Sequence, residues 1–245
     1  MEKEIKIKTL DGHVIYGVLN SKKSNKLIIF IHGLTGHKNE HIFYNASKYF
    51  TQNGFDTFRF DLYTGQKDGR TLSGTTIKIH AQDTNSVVNY FKNNYKKIFL
   101  VGHSYGGPTI LVSDHTFISA LVLWDPSANY GKNKGWSAED KLIFVKSLNK
   151  YILNWGSEFL IGKQMRDEWL IFPKAKDVVK KLNIPLKIIC AEKPFKKGYD
   201  GGKLYYKYAN VPKDFLIIKG ADHTFDEEGA EEKLFLETLK FIEKY

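Results

Sequence analysis

Ile98-Phe99-Leu100-Val101-Gly102-His103-Ser104-Tyr105-Gly106-Gly107 decides the fold. Four consecutive apolar residues read as a buried strand, and an apolar helical stretch over 105–113 follows. Between them stands Gly-x-Ser-x-Gly. Small glycines let a backbone turn sharply from strand to helix, which lifts the serine hydroxyl clear of the sheet and aims the next helix's N-terminus at it. Ser104 is therefore the candidate nucleophile; the plainer reading is a serine that caps the helix.

Working outward, Ile5, Ile7 and Leu10, then Val14, Tyr16 and Val18 alternate around an Asp11-Gly12 turn, which predicts a β-hairpin at one sheet edge. Further strands are expected at 27–31, 56–60, 98–101, 120–124, 186–190 and 215–218. Several are continuous apolar runs, as strands covered on both faces must be. Helical stretches lie between them at 39–53, 78–95, 105–113, 201–209 and 227–244. This alternation predicts an α/β fold with a doubly wound, mostly parallel sheet of eight strands, and one domain over 1–245.

Residues 126–183 break the alternation. They hold no convincing strand, but show helix-like patterns around Ala138–Leu153 and Lys174–Leu182, with aromatics Trp136, Tyr151, Trp155, Phe159, Trp169 and Phe172. Nearly sixty residues exceed what one crossover needs, so the segment is expected to be a helical lid inserted after the sixth strand. Its aromatics either wall an apolar pocket or form the lid's own core.

The composition excludes several classes. A hydrophobic share of 42% and a charged share of 26% rule out disorder, collagen and coiled coil. No apolar run approaches the roughly 20 residues of a membrane helix. The segment Met1-Glu-Lys-Glu-Ile5 opens no continuous apolar signal core, and Cys190 is the one cysteine, so no intramolecular disulfide forms. A reducing, cytoplasmic setting is expected. The net charge of +10 comes from lysines scattered along the whole chain rather than gathered in an arm, so no nucleic-acid partner is expected.

A nucleophilic serine needs a base. Among eight histidines only His223 stands in a loop after the final strand, in Gly220-Ala-Asp-His-Thr-Phe225. His13, His37, His41, His80 and His115 read as solvated side chains, and their spacing suggests no metal site. Developing negative charge also needs backbone donors. The turn Ile31-His-Gly-Leu-Thr-Gly36 is placed to supply them, with the amides of Leu34 and Tyr105 as the expected pair. His32 is expected to brace that turn, and Gly33, Thr35 and Trp124 to border the substrate.

These features, His32-Gly33, Gly102-His-Ser-Tyr-Gly106 and Gly220-Ala-Asp-His-Thr-Phe225, resemble the α/β-hydrolase superfamily over nearly the whole chain. The chain is most similar to small lidded carboxylesterases, including the cinnamoyl and feruloyl esterase group, and to serine aminopeptidase-like hydrolases. The resemblance implies hydrolysis of an aryl or short-to-medium acyl ester through an acyl-enzyme on Ser104, with no metal or organic cofactor. A peptidase, amidase or thioesterase using the same residues is the alternative. A non-catalytic interaction protein is a third reading. The implied partner is a small-molecule ester, and self-association into a homodimer is left open.

The chain departs from its relatives in the acid. They carry an aspartate in a Gly-x-x-Asp turn after the seventh strand, where this chain reads Cys190-Ala-Glu-Lys-Pro194 and places proline near the slot. Asp125, closing the strand 120–124 in an Asp-Pro-Ser-Ala context similar to that of pancreatic lipase, is the first candidate. Glu192, Asp200 and no functional acid are the others. Asp222 and Asp61 read as loop-stabilising side chains.

Overall fold

The computed structural model describes residues 1–128, 142–154, 156–193 and 201–245. The strands are β1 (Glu2–Lys8), β2 (Val14–Asn20), β3 (Lys26–Ile31), β4 (Asp56–Phe60), β5 (Lys97–His103), β6 (Ala120–Trp124), β7 (Leu142–Val145), β8 (Lys150–Asn154), β9 (Glu158–Gly162), β10 (Leu186–Ala191) and β11 (Lys213–Ile218). The helices are α1 (His41–Gln52), α2 (Ile77–Phe91), α3 (Gly106–Leu111), α4 (Lys163–Ile171), α5 (Ala175–Val179), α6 (Gly201–Tyr208) and α7 (Ala230–Ile242).

Eight strands form one sheet in the order β1-β2-β4-β3-β5-β6-β10-β11. The hairpin β1–β2 and the pair β2–β4 are antiparallel; every other pair is parallel. Alternation along each strand divides the core in two. Leu27, Ile29, Ile31, Leu100, Leu121 and Leu123 join one buried cluster with α2, α3 and α6, whereas Ile28, Phe30, Phe99, Val101, Val122 and Trp124 join a second with α1 and α7. Helices cover both faces, so the central strands are apolar along most of their length, and the few polar side chains on them, such as Thr57, Arg59 and His103, are buried.

The expected helix over Ala138–Leu153 is not what the described part of that stretch forms. β7, β8 and β9 make a small antiparallel sheet. Ile143-Phe144-Val145, Tyr151-Ile152 and Phe159-Leu160-Ile161 are β-branched or aromatic runs, which favour a pleated surface. Asn149 (φ 48°) closes the turn between β7 and β8, and Gly156 (φ 89°) the next one. Among the described residues helix follows at α4 and α5, so the described part of the insertion is mixed rather than helical. Leu153, Ile161, Met165, Trp169 and Phe172 pack into the α2/α3 side of the main core. Trp136, Trp155, Pro194 and Asp200 lie outside the described residues.

No described helix is long and apolar enough to cross a membrane.

Candidate active site

The carboxyl ends of β3, β5 and β6 lie side by side, with Ile31 opposite Gly102 and His103 opposite Trp124. Ser104 follows directly, with a left-handed backbone (φ 53°) and its N–H donating to the Trp124 carbonyl at 2.9 Å. The glycines around it are sterically compelled: a Cβ on Gly102 would lie 2.4 Å from the Gly106 carbonyl oxygen, and one on Gly106 2.2 Å from that of Ile31. Of the six described non-glycine residues with positive φ, four (Thr35, Ser104, Asp125 and Phe225) gather here. Such backbones persist where the surroundings over-determine them, and they cluster at functional sites.

His223 reaches the serine from the loop after β11. Its Nε2 lies 2.9 Å from Ser104 Oγ and its Nδ1 2.5 Å from Asp125 Oδ2. An Nδ1–H donated to the carboxylate leaves Nε2 as the acceptor of the serine proton. Asp125 leaves the end of β6 with its N–H donated to the Ile189 carbonyl at 2.7 Å, and its Oδ1 accepts the Ala191 N–H at 3.3 Å. Asp125 is thus moored to β10.

The loop that carries His223 is fastened in several places. His103 Nε2 donates to the His223 carbonyl at 2.8 Å, and the two imidazoles lie 4.8 Å apart. Burial, with His223 close by, pushes His103 down to about 3, so it stays neutral beside the second ring. Asp222 Oδ1 accepts the Thr224 and Phe225 N–H groups, making it the expected loop brace. His41 on α1 meets Asp226 at 2.6 Å.

His32 Nε2 accepts the Leu62 N–H at 3.0 Å while Nδ1 donates to the Gly33 carbonyl at 2.8 Å. Burial lowers it to about 4. The turn it braces sets Gly33 against Ser104, where a Cβ would stand 3.1 Å from that of the serine. Asp61 holds both the backbone N–H and the ammonium of Lys38. Among the described residues no group of three or more His, Cys, Asp and Glu converges as a metal site would.

Residues 22–211 match the family described as serine aminopeptidase, S33 (Hydrolase_4). The chain belongs to the S33 family. This S33 hydrolase has no sequence match among curated proteins. Est1E from Butyrivibrio proteoclasticus with bound ferulic acid superposes with a TM-score of 0.82 at 20% identity, covering 98% of each chain. The α/β hydrolase GrgF from Penicillium sp. sh18 gives 0.79 at 17% identity, over 100% of this chain and 98% of the other. An esterase domain from Rhodothermus marinus gives 0.77 at 19% identity, over 100% and 99%. These likenesses establish the α/β-hydrolase fold.

Several site expectations need correction in this S33 hydrolase. Trp124 does not border the substrate: it is fully buried on the α1/α7 face, stacks on Phe43 and donates its Nε1–H to Thr238 at 3.0 Å. Strand alternation sends residue 124 to that face. Glu192 is exposed and accepts the Gly220 N–H at 2.8 Å, while Asp125 holds His223 Nδ1. His80 is not solvated but fully buried on α2 between Tyr63 and Tyr105, with neither ring nitrogen hydrogen-bonded among the described residues. Burial pushes it down to about 3. Two neighbours went unread in the sequence, His103 in the turn before Ser104 and Ser127 two residues after Asp125, while Trp169, named among the aromatics of the insertion, donates its Nε1–H to the Tyr105 hydroxyl at 2.9 Å.

Proposed function

We propose that this S33 hydrolase is a carboxylesterase acting on aryl or short-to-medium acyl esters through an acyl-enzyme on Ser104. The carrying observation is the hydrogen-bonded line Asp125–His223–Ser104, with both imidazole nitrogens engaged. As Ser104 Oγ bonds to the ester carbonyl carbon, its proton passes to His223 Nε2, and Asp125 steadies the resulting imidazolium. His223 then hands that proton to the departing alcohol. In the second half a water loses its proton to the same nitrogen as its oxygen bonds to the acyl carbon, and that proton passes to Ser104 Oγ as the bond from the acyl carbon to Ser104 breaks. The N–H groups of Leu34 and Tyr105 hold the oxyanion in both halves; that of Leu34 has no acceptor among the described residues.

The insertion 126–183 is assigned as a lid over this site. Trp169 ties it to the turn that carries the nucleophile. The aryl preference draws on the ferulic acid bound in Est1E, a structure of the same fold. A panel of p-nitrophenyl and feruloyl esters tests the reading: the wild type turns them over and Ser104→Ala does not. Equal turnover by Ser104→Ala would sink it. The family description itself favours a second reading, release of N-terminal amino acids by the same residues. Aminoacyl p-nitroanilides cleaved faster than any ester would establish that one.

A further inference from the structure

Asp125-Pro126-Ser127 does more than deliver the acid. Because β6 pairs with β5, the chain that leaves β6 runs on past Ser104, and Ser127 ends with its Oγ 3.5 Å from Ser104 Oγ. Its backbone is fixed at both ends: the N–H donates to the Ser104 carbonyl at 3.0 Å and the carbonyl accepts the Tyr205 hydroxyl at 2.8 Å. The flanking residues are gripped as closely. A Cβ on Gly107 would stand 2.6 Å from Pro126 Cβ, and one on Gly201 2.4 Å from the Pro126 carbonyl oxygen. Ser127 is 4% exposed, and among the described residues its hydroxyl has one hydrogen-bond partner, Ser104 Oγ. A buried hydroxyl normally spends its proton on a carbonyl or carboxylate; this one faces the reacting oxygen.

We propose that Ser127 is a further catalytic residue, whose hydroxyl donates to Ser104 Oγ as charge develops there; this rests on the serine-esterase reading above. Ser104 gives its own proton to His223 Nε2, so its oxygen keeps lone pairs for a second donor. In the resting enzyme the contact exceeds the roughly 2.7–2.8 Å of a relaxed O–H···O bond. When the Ser104 proton moves to His223 and Oγ bonds to the carbonyl carbon, the oxygen carries partial negative charge. The hydrogen bond then shortens and strengthens. The same holds in reverse when the acyl group departs and Oγ is the leaving atom. Ser127 forms and breaks no covalent bond and keeps its proton throughout. An interaction stronger in the transition state than in the ground state raises turnover rather than affinity. Its placement follows from the topology: β6 pairs with β5 and His103 lies opposite Trp124, so the residues that leave β6 pass Ser104.

The test is the second-order rate of Ser104 phosphonylation by fluorophosphonates of small and large alkyl chain, with p-nitrophenyl acetate turnover and thermal unfolding measured alongside. Ser127→Ala is expected to lower both rates by about 10–100-fold. The reduction should be equal for small and large probes, at an unchanged melting temperature, with partial recovery in Ser127→Cys. Wild-type rates in Ser127→Ala overturn the proposal. So does a loss that grows with probe size or tracks a fall in melting temperature, because that is a pocket or packing defect. A wild type that neither reacts with the probe nor cleaves the ester removes the esterase reading, and this proposal with it.

Discussion

Asp125 is held by its own strand end rather than by a flexible loop, since its N–H and Oδ1 both bond to the β10 backbone at Ile189 and Ala191. That mooring sets an acceptor oxygen against His223 Nδ1, which favours the tautomer with its proton there. Asp125→Asn should leave the fold intact and lower kcat by about 10³–10⁴-fold, because an amide that donates toward Nδ1 selects the wrong tautomer. Glu192→Gln should change it by no more than about twofold, its carboxylate being occupied with the Gly220 N–H on the surface. Steady-state hydrolysis of p-nitrophenyl butyrate by the two variants checks this, and a severe loss in Glu192→Gln would reverse the assignment. At this scale the sequence was informative where the chemistry demands a local context. Ser104 stands in a strand–turn–helix and His223 after the last strand. It misled at Trp124, where proximity to the site outweighed the parity that Val122 already showed, and at His80, whose burial depends on Tyr63 and Tyr105 reaching it from distant segments.

The element that most needs the tertiary structure to explain it is the stretch from β7 to α5. Its apolar residues at 142–145, 148 and 151–153 fit a helical period as readily as a strand period, and the deciding turn signal is one asparagine at 149. The long core strands carried no such ambiguity: 98–101 and 120–124 are unbroken apolar runs, and both are buried. α4 is joined to the main body by a carboxylate at a helix N-terminus. Glu168 accepts the Ile77 and Lys78 N–H groups at 2.6 and 3.0 Å, satisfying two donors that α2 leaves open. Glu168→Ala is expected to destabilise the protein by about 1–2 kcal/mol in urea unfolding, and to hasten proteolysis between β9 and α5. An unchanged midpoint with unchanged proteolysis would show that the contact holds nothing.

Over the whole molecule, His32, His80 and His103, with His115 lowered by burial in the same direction, contribute to the response to acid. His32, His80 and His103 are pushed down by burial to about 4, 3 and 3, whereas an unfolded chain titrates them near 6.5. Between those values the unfolded state binds more protons, so the stability they contribute is whole above about pH 6.5 and is lost as pH falls toward the folded values. From pH 7 to pH 5.5 each should cost about 1 kcal/mol of unfolding free energy. Glu40 and Glu168, raised by burial, act in the opposite sense at lower pH, which is why the upper window is diagnostic. Chemical unfolding at the two pH values reads the effect, and equal stability at both would mean that these rings are protonated in the folded protein.

The proposed chemistry turns on one atom, the Ser104 oxygen, which His223 meets at 2.9 Å from the loop after β11. The most direct measurement is mass spectrometry of the protein quenched in acid during turnover of a slow aryl ester, followed by peptide mapping. The acyl group is predicted on the peptide containing Ser104 in the wild type, accumulating at least about a thousandfold more slowly in His223→Ala. An acyl group on another residue, or equal acylation of Ser104 without the imidazole, would contradict the account.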